Sequence, residues 1–366
     1  MLRPSLTILF FVAALAQAQP ATRPSATPAP SATPKASPAD ASGVDALDAA
    51  ALEKAIDLIR KHYINPAALD ETAMKRATLD GLLDRLDGGL RLLPAHSGPA
   101  PTPAPFYREV LDGHIGYLRP GDLNPPQLQE LDTTLRAFAG KKVDALILDL
   151  RATGEAGDYA AAAEFANRFV AKGRALFTLH SPATKQDRDF TSNAEPAYSG
   201  LLVVLVDRDT AGASEVLAAV LRHEDKAIVI GETTAGRAVG YDNLPLPDGQ
   251  TLRVATSEAI LPDQTLRYPN GLTPDLLVPL STGEKRMIFQ ESLTKGMVPF
   301  VFESDRPHLN EAALLAGTNP EIDASQAAQR RRARGEKPPP HDAVMQRAVD
   351  VVTSIGVYEK QPGQAP

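Results

Sequence analysis

The residues between Asp207 and Gly249 have an order that suits nucleophilic catalysis by a serine. The apolar run LLVVLVD predicts a buried strand, a tight turn follows it, and SEVLAAVLRHE predicts a helix leading away. Ser214 stands at the start of that helix, where a hydroxyl could attack an acyl carbon once a base removes its proton. His223 and Lys226 are the candidate bases in this stretch.

Two observations argue against Ser214 as a nucleophile. A serine in the first turn of a helix commonly acts as a cap, a role that needs no chemistry. His223 lies nine residues later, which places it about 13 Å further along the helix at a rise of 1.5 Å per residue. A direct hydrogen bond between the two side chains is therefore excluded, and a base would have to come from elsewhere.

Strands and helices alternate on both sides of this stretch. HIGYLRP, VDALILDLR, LLVVLVD and AIVIGET predict strands, and helical patterns separate them, so we expect an α/β fold with a largely parallel sheet. Before them, LDAAALEKAIDLIRKHYI and DETAMKRATLDGLLDRLDGG predict a helical hairpin. After Pro279 the sequence is polar and irregular until HDAVMQRAVDVVTSIGVYEK, which predicts a terminal helix.

The N-terminus has the pattern of a secretory signal. Arg3 precedes an apolar run that is too short to cross a bilayer and that ends in the cleavage pattern Ala16-Gln17-Ala18. We therefore expect a cleaved signal peptide over residues 1–18 and export to the periplasm or the extracellular space. No cysteine follows the apolar run, so no stable membrane anchor is expected there.

Changes in composition divide the rest of the chain. Residues 19–43 are rich in proline and alanine and predict a disordered linker. Residues 44–93 hold the helical hairpin, and residues 94–105 are a second proline-rich linker. The α/β core is expected over residues 106–281, and a C-terminal tail with its terminal helix over residues 282–366.

Composition also excludes several classes of partner and cofactor. The net charge of −7 is spread without long runs of one sign, so nucleic acid is not an expected partner. The chain contains no cysteine, which excludes disulfides and thiol chemistry. Its seven histidines show no metal-ligand spacing, and there is no glycine-rich phosphate loop. We expect no metal and no cofactor.

Five motifs between about Tyr107 and Leu280 resemble the tail-specific, or C-terminal processing, serine peptidases in order and in spacing. They are HIGYLRPGDL, VDALILDLR, TAGASEVLAAVL, AIVIGETTAGRAVGYDNLPLPDGQTLRV and GLTPDLLVPL. The resemblance implies an α/β core of the ClpP/crotonase type with an N-terminal helical hairpin and a C-terminal helical tail. It also implies polypeptide substrates, which this family cuts near their C-termini with a serine–lysine dyad.

The positions that the resemblance assigns to the dyad hold other residues. When Glu215 is matched to the family's acidic residue, the nucleophile position is Gly212 and the lysine position, 25 residues later, is Arg237. Tyr241 replaces the glutamine that usually supports the lysine. Glycine cannot form an acyl-enzyme, and arginine, with a pKa above about 12, cannot act as a base near neutral pH. The resemblance therefore implies a degenerate dyad.

The resemblance also suggests backbone donors for an oxyanion. They are the N–H groups of Ala213 and of a glycine in the turn after Arg151, for which Gly157 is the candidate. The sequence of that turn, RATGEAGD, departs from the family's usual N-P-G-G. Asp149 and Arg151 at the end of the preceding strand are expected to brace the turn.

Each substituted position also has a structural interpretation. Gly212 can relax a strained strand-to-helix turn by adopting a positive φ. Arg237 is a candidate anchor for a peptide carboxylate, and a salt bridge to Glu215 or Asp242 is the alternative. Tyr241 fits a core or rim position better than a ligand contact.

The interval between residues 93 and 107 is too short for the peptide-binding PDZ domain that family members commonly carry there. Three functions remain open from the sequence. One is a catalytically inactive pseudopeptidase that binds a peptide or protein, and the second is an active serine endopeptidase that uses Ser214. The third is a structural partner whose core is an assembly surface, as in a homo-oligomer.

Overall fold

A computed structural model describes residues 47–86, 88–95, 102–141, 143–154, 158–301 and 340–359. The predicted signal peptide over residues 1–18 and the linker over residues 19–43 lie outside the described residues, as does Gly157. Residues 302–339 and 360–366 of the predicted C-terminal tail lie outside them as well.

The chain divides into two compact units, Met1–Met74 and Lys75–Pro366. Helix α1 (Ala49–His62) belongs to the first unit and is capped by Asp48, whose carboxylate accepts the N–H of Ala51 at 2.8 Å. A short 3₁₀ turn (Pro66–Leu69) follows, and α2 (Glu71–Arg85) runs across the boundary between the units. Both helices of the predicted hairpin are present, and their pairing stays a prediction.

The second unit contains the strands, which form two sheets. In chain order the strands are β1 (Leu90–Leu93), β2 (Ala104–Leu111), β3 (Ile115–Gly121), β4 (Ala145–Asp149), β5 (Ala175–Ser181), β6 (Gln186–Thr191), β7 (Leu201–Val206), β8 (Ala227–Gly231), β9 (Val239–Pro245), β10 (Thr251–Ile260) and β11 (Leu276–Leu277). The remaining helices are α3 (Pro125–Ala139), α4 (Tyr159–Ala166), α5 (Gly212–His223), α6 (Thr282–Lys295), α7 (Val298–Val301) and α8 (Ala343–Glu359).

The central sheet has the strand order β11-β8-β7-β4-β3-β2. Neighbouring strands are parallel, except that β2 joins β3 antiparallel at one edge. The predicted α/β class with a largely parallel sheet is confirmed. The second sheet is antiparallel: β10 pairs along its length with β9, at its start with β1 and at its end with β5, and β6 extends β5.

Side chains of the central strands alternate between two apolar cores. On β4, Leu146 and Leu148 face a core shared with α3, α4 and α5, whereas Ala145 and Ile147 face a core shared with α6, α7 and α8. A sheet covered by helices on both faces needs strands that are apolar throughout. This requirement explains the continuous apolar runs in the sequence.

Three elements differ from the sequence-based prediction. Residues 90–93 were expected within the helical hairpin, but they form β1 and pair with β10. The stretch after Pro279, expected to be irregular, contains α6 and α7, which contribute Ile288 and Phe300 to the second core. Ser281 caps the start of α6, because its hydroxyl oxygen accepts the N–H of Glu284 and its O–H donates to the Glu284 carboxylate.

No helix among the described residues has the length and apolar character needed to cross a membrane.

Candidate functional site

The two positions that the resemblance assigns to the dyad lie side by side. Gly212 is the first residue of α5, and its N–H donates to the carbonyl oxygen of Arg237 at 3.1 Å. The adjoining loops are joined again where the N–H of Ala235 donates to the carbonyl of Thr210 at 2.9 Å. The spacing that the sequence preserves therefore corresponds to direct contact between the two backbones.

Gly212 has a φ of 60°, in the left-handed region that favours glycine. It follows a loop that leaves β7 and turns at once into α5. A residue with a side chain would hold this backbone under strain of about 1–3 kcal/mol. The structural interpretation of Gly212 therefore fits the observed turn.

The loop before Gly212 is fixed by the buried Asp207. Its carboxylate accepts the N–H groups of Asp209 and Thr210 at 3.0 and 3.1 Å. Lys285 of α6 forms ion pairs with both Asp207 and Asp209 and donates to the carbonyl of Arg151. Helix α6, which the sequence did not predict, thus contacts both the loop before Gly212 and the turn after β4.

Glu215, in the first turn of α5, fixes the loop that carries Arg237. Its side chain is buried, and its carboxylate accepts hydrogen bonds from the Thr234 hydroxyl and from the N–H groups of Gly236 (2.8 Å) and Arg237 (2.9 Å). Burial raises the pKa of Glu215, although these hydrogen bonds favour the ionised form. Glu215 entered the sequence analysis only as a motif match, and its role in positioning the loop was not predicted.

Replacing Glu215 with glutamine is expected to destabilise the protein by about 1–3 kcal/mol, the cost of leaving a buried hydrogen-bonding group unsatisfied. Both carboxylate oxygens of Glu215 accept hydrogen bonds, whereas a glutamine amide has one acceptor oxygen. Its NH₂ group would therefore face a donor, and that hydrogen bond would be lost. Urea unfolding measures the loss, and amide exchange should rise at Gly236 and Arg237. Glu130→Gln, at an exposed ion pair with Arg108, is the control, and an equal loss in both variants would contradict the positioning role.

Arg237 and Tyr241 both reach the turn that follows α2. A Cβ atom on Gly88 would lie 3.3 Å from Cδ of Arg237, so the stem of this side chain packs against the glycine. The hydroxyl of Tyr241 donates to the carbonyl of Gly88, and its ring lies 4.2 Å from the guanidinium carbon of Arg253. Tyr241 therefore has the contacts of a packed rim residue. The alternative ion pairs of Arg237 with Glu215 or Asp242 stay predictions.

Of the two proposed oxyanion donors, only Ala213 lies within the described residues. It is buried in the first turn of α5, and the N-cap residue Ala211 supplies no side-chain acceptor to that turn. The first N–H groups of a helix have no partner within the helix. The role of the Ala213 N–H as an oxyanion donor stays a prediction.

Asp149 and Arg151 are completely enclosed and form a buried ionic cluster. Arg151 donates to both oxygens of Asp149 (2.9 and 2.7 Å) and to both oxygens of Asp342 (3.0 and 2.8 Å). Tyr117 donates to Asp149 at 2.8 Å. These contacts are those of a structural brace, as expected for Asp149 and Arg151. The participation of Asp342, just before α8, was not predicted.

Ser214 lies in the first turn of α5 and is only 3% exposed. His223 is the last residue of the same helix, and its Nδ1 lies 2.8 Å from the Asp263 carboxylate. Lys226 is exposed beyond the helix. The structure does not bring either candidate base to Ser214.

A recess of about 530 Å³ lies on the antiparallel sheet. Phe177, Phe190 and Leu261 form its apolar part, and Asp187 and Asp189 contribute charge. The ring of Tyr159, at the start of α4, lies 6.2 Å from the ring of Phe177.

Within the described residues, no group of acidic or histidine side chains is arranged to hold a metal ion.

Comparison with known proteins gives a consistent family match. Residues 114–278 match the model of peptidase family S41. A carboxyl-terminal-processing protease of Synechocystis is 29% identical over 164 residues, which are 45% of this chain and 38% of that protein. The chloroplastic carboxyl-terminal-processing peptidase 2 of Arabidopsis thaliana is 30% identical over 167 residues, covering 46% of this chain and 32% of that protein.

These matches span well under half of the length of the curated relatives. Among solved structures, a photosystem II D1 C-terminal processing protease aligns with a TM-score of 0.39 and 23% identity, covering 52% of this chain and 47% of that one.

Proposed function

We propose that the protein, whose residues 114–278 match the model of peptidase family S41, is a catalytically inactive member of that family and binds peptides or proteins. One observation carries the proposal. The positions that the resemblance assigns to the nucleophile and the base are joined by a backbone hydrogen bond, yet they hold Gly212 and Arg237. The scaffold of a hydrolytic site is kept while the groups that would break an amide bond are absent from these positions.

The surrounding contacts support a preserved binding surface. Glu215, Asp207 and Lys285 hold the two loops through buried hydrogen bonds. Buried charges are costly to maintain unless they are paired. These pairs therefore favour a single conformation of the two loops, whether or not the site is catalytic. We propose that an extended peptide lies over this surface, with its C-terminal carboxylate at Arg237, whose guanidinium can bind a carboxylate through two hydrogen bonds.

The remaining parts of the proposal concern the rest of the chain. Strands β1 and β2 are both paired within sheets, and residues 94–103 join them, which supports the absence of a PDZ domain between the hairpin and the core. We also propose that the protein is exported, because the signal pattern precedes a proline-rich stretch. An active endopeptidase using Ser214 is disfavoured, since neither candidate base is near that hydroxyl.

Replacing Arg237 with alanine is expected to weaken binding of free-acid peptides by at least about tenfold, because a charge-assisted hydrogen bond contributes about 1.5–3 kcal/mol. Fluorescence anisotropy with pools of fluorescein-labelled short peptides measures the loss. Pools with amidated C-termini should bind wild type more weakly and should respond less to the substitution. Arg253→Ala removes a neighbouring guanidinium as a control. Failure of the wild type to bind any pool would reject the proposed function.

A further inference from the structure

Arg253, on β10, is a guanidinium without an ion-pair or hydrogen-bond partner among the residues that the structure describes. The side chain is partly exposed, and its guanidinium carbon lies 4.2 Å from the centre of the Tyr241 ring. The face of an aromatic ring attracts a cation, but it leaves the N–H groups around the edge of the guanidinium without acceptors. Arginine keeps its charge at any working pH, so these donors remain available to an anion.

The strand pairing places a second arginine beside Arg253. Arg91 of β1 is directly opposite it in the antiparallel register, and Asn243 of β9 is opposite it on the other side. Residues at directly opposite positions point to the same face of a sheet with their Cβ atoms about 5 Å apart, and like charges placed there repel each other. Neither cross-strand neighbour of Arg253 therefore supplies a negative charge, and one of them adds a positive charge.

Direct contacts connect this arginine pair to the candidate site. Tyr241, whose ring lies under the Arg253 guanidinium, donates its hydroxyl hydrogen bond to the carbonyl of Gly88. Gly88 in turn packs against the stem of Arg237. Arg91 is partly exposed, like Arg253. A ligand that contacts Arg237 therefore lies near two further guanidinium groups that it can reach from solvent.

The charge of this face of the sheet favours an anionic ligand. An anion between Arg91 and Arg253 would be attracted by both and would offset their mutual repulsion, and a guanidinium can bind a carboxylate through two hydrogen bonds. Arg237 is already assigned to the C-terminal carboxylate, so the other carboxylates that a peptide offers are the side chains of aspartate and glutamate. Because the chain as a whole has a net charge of −7, an acidic peptide needs a local positive site of this kind.

We propose that Arg253, with Arg91 beside it, binds an acidic side chain of the peptide ligand. This inference rests on the proposed function and names its class of ligand, which is peptides that carry an aspartate or glutamate in addition to a free C-terminus. Arg237 and Arg253 then have separate tasks, since Arg237 binds the terminal carboxylate and Arg253 binds a side-chain carboxylate.

Two fluorescein-labelled peptide pools test the proposal, with one glutamate or one glutamine among otherwise uncharged residues. We expect the wild type to bind the glutamate pool about tenfold more tightly, the value of one charge-assisted hydrogen bond. This preference should disappear in Arg253→Ala and in Arg253→Gln, which keeps the stem of the side chain, and it should shrink in Arg91→Ala. It should be the same for free-acid and amidated pools, so Arg253→Ala stays a valid control for the terminal carboxylate.

Arg188→Ala is the matched control. The guanidinium of Arg188 also lies over an aromatic ring of the antiparallel sheet, 4.7 Å from the centre of Phe190, but the residue opposite it is Leu179. With no second arginine at the opposite position, its loss should leave the preference for glutamate unchanged.

The possible outcomes separate this inference from the proposed function. Equal binding of the two pools by the wild type, or a preference that survives in Arg253→Ala, would overturn the role of Arg253 and leave the proposed function standing. A loss in Arg253→Ala that depends on the free C-terminus instead of the glutamate would also overturn it, by making Arg253 a second ligand of the terminal carboxylate. Absence of binding by the wild type to every pool would overturn both.

Discussion

A fluorophosphonate probe is expected to leave the purified protein unlabelled and to label the double variant Gly212→Ser/Arg237→Lys. The probe reacts with a serine that a neighbouring base activates. Loss of one member of a serine catalytic unit reduces kcat by about 10⁶, so labelling of the wild type should be at background. In the double variant the two restored side chains start from backbones joined by a 3.1 Å hydrogen bond, close enough for a serine–lysine pair.

The single variants are the controls for this experiment. Gly212→Ser alone supplies a hydroxyl beside an arginine that cannot accept its proton, and Arg237→Lys alone supplies a base with no nucleophile, so neither should be labelled. Because φ is 60° at Gly212, variants with serine there should lose about 1–3 kcal/mol of stability, and circular dichroism must show that they fold. Labelling of the wild type that disappears in Ser214→Ala would establish the active endopeptidase instead.

The sequence predicted the parts of the site that depend on short stretches of chain. Apolar runs predicted the central strands because a sheet covered on both faces is apolar throughout. Gly212 and Arg237 could be paired because the resemblance to the tail-specific peptidases implies a spacing of 25 residues between the two dyad positions. The backbone hydrogen bond between them agrees with that expectation.

The contacts that support the site could not be predicted, because they join distant segments. Arg151 and Asp342 are separated by 191 positions, and Tyr241 and Gly88 by 153. Neither hydrophobic periodicity nor the spacing of residues within a short stretch of sequence indicates such pairs.

Replacing Arg151 with alanine is expected to destabilise the protein by about 3–5 kcal/mol, the usual cost of removing one partner from a buried ion pair. The substitution would leave the carboxylates of Asp149 and Asp342, both 0% exposed, without their shared cation. It would also release the residue before α8 from the turn after β4. Peptide binding should fall with stability, because Lys285 contacts the Arg151 carbonyl and the loop before Gly212.

Arg168→Ala is the matched control for this prediction. Arg168 also pairs with two carboxylates, those of Asp132 and Glu164, but its partners are 35% and 43% exposed. Solvent-exposed pairs contribute about 0–1 kcal/mol, so urea unfolding should separate the two variants clearly. Equal losses would contradict a stabilising role that depends on burial.

The free energy of unfolding of the wild type and that of Arg151→Ala should change in opposite directions as the pH falls. Burial opposes ionisation of Asp149, but Arg151 and the Tyr117 hydroxyl outweigh it and lower the pKa of this carboxyl. The contribution of Asp149 to stability is therefore present above its unfolded pKa of about 3.9 and is lost as the pH falls through its folded pKa. Without Arg151, burial would raise that pKa, and protonation would then favour the folded state. Urea unfolding at pH 7 and pH 4 should show the deficit of Arg151→Ala shrinking at the lower pH, and a deficit that grows there would contradict the buried-charge explanation.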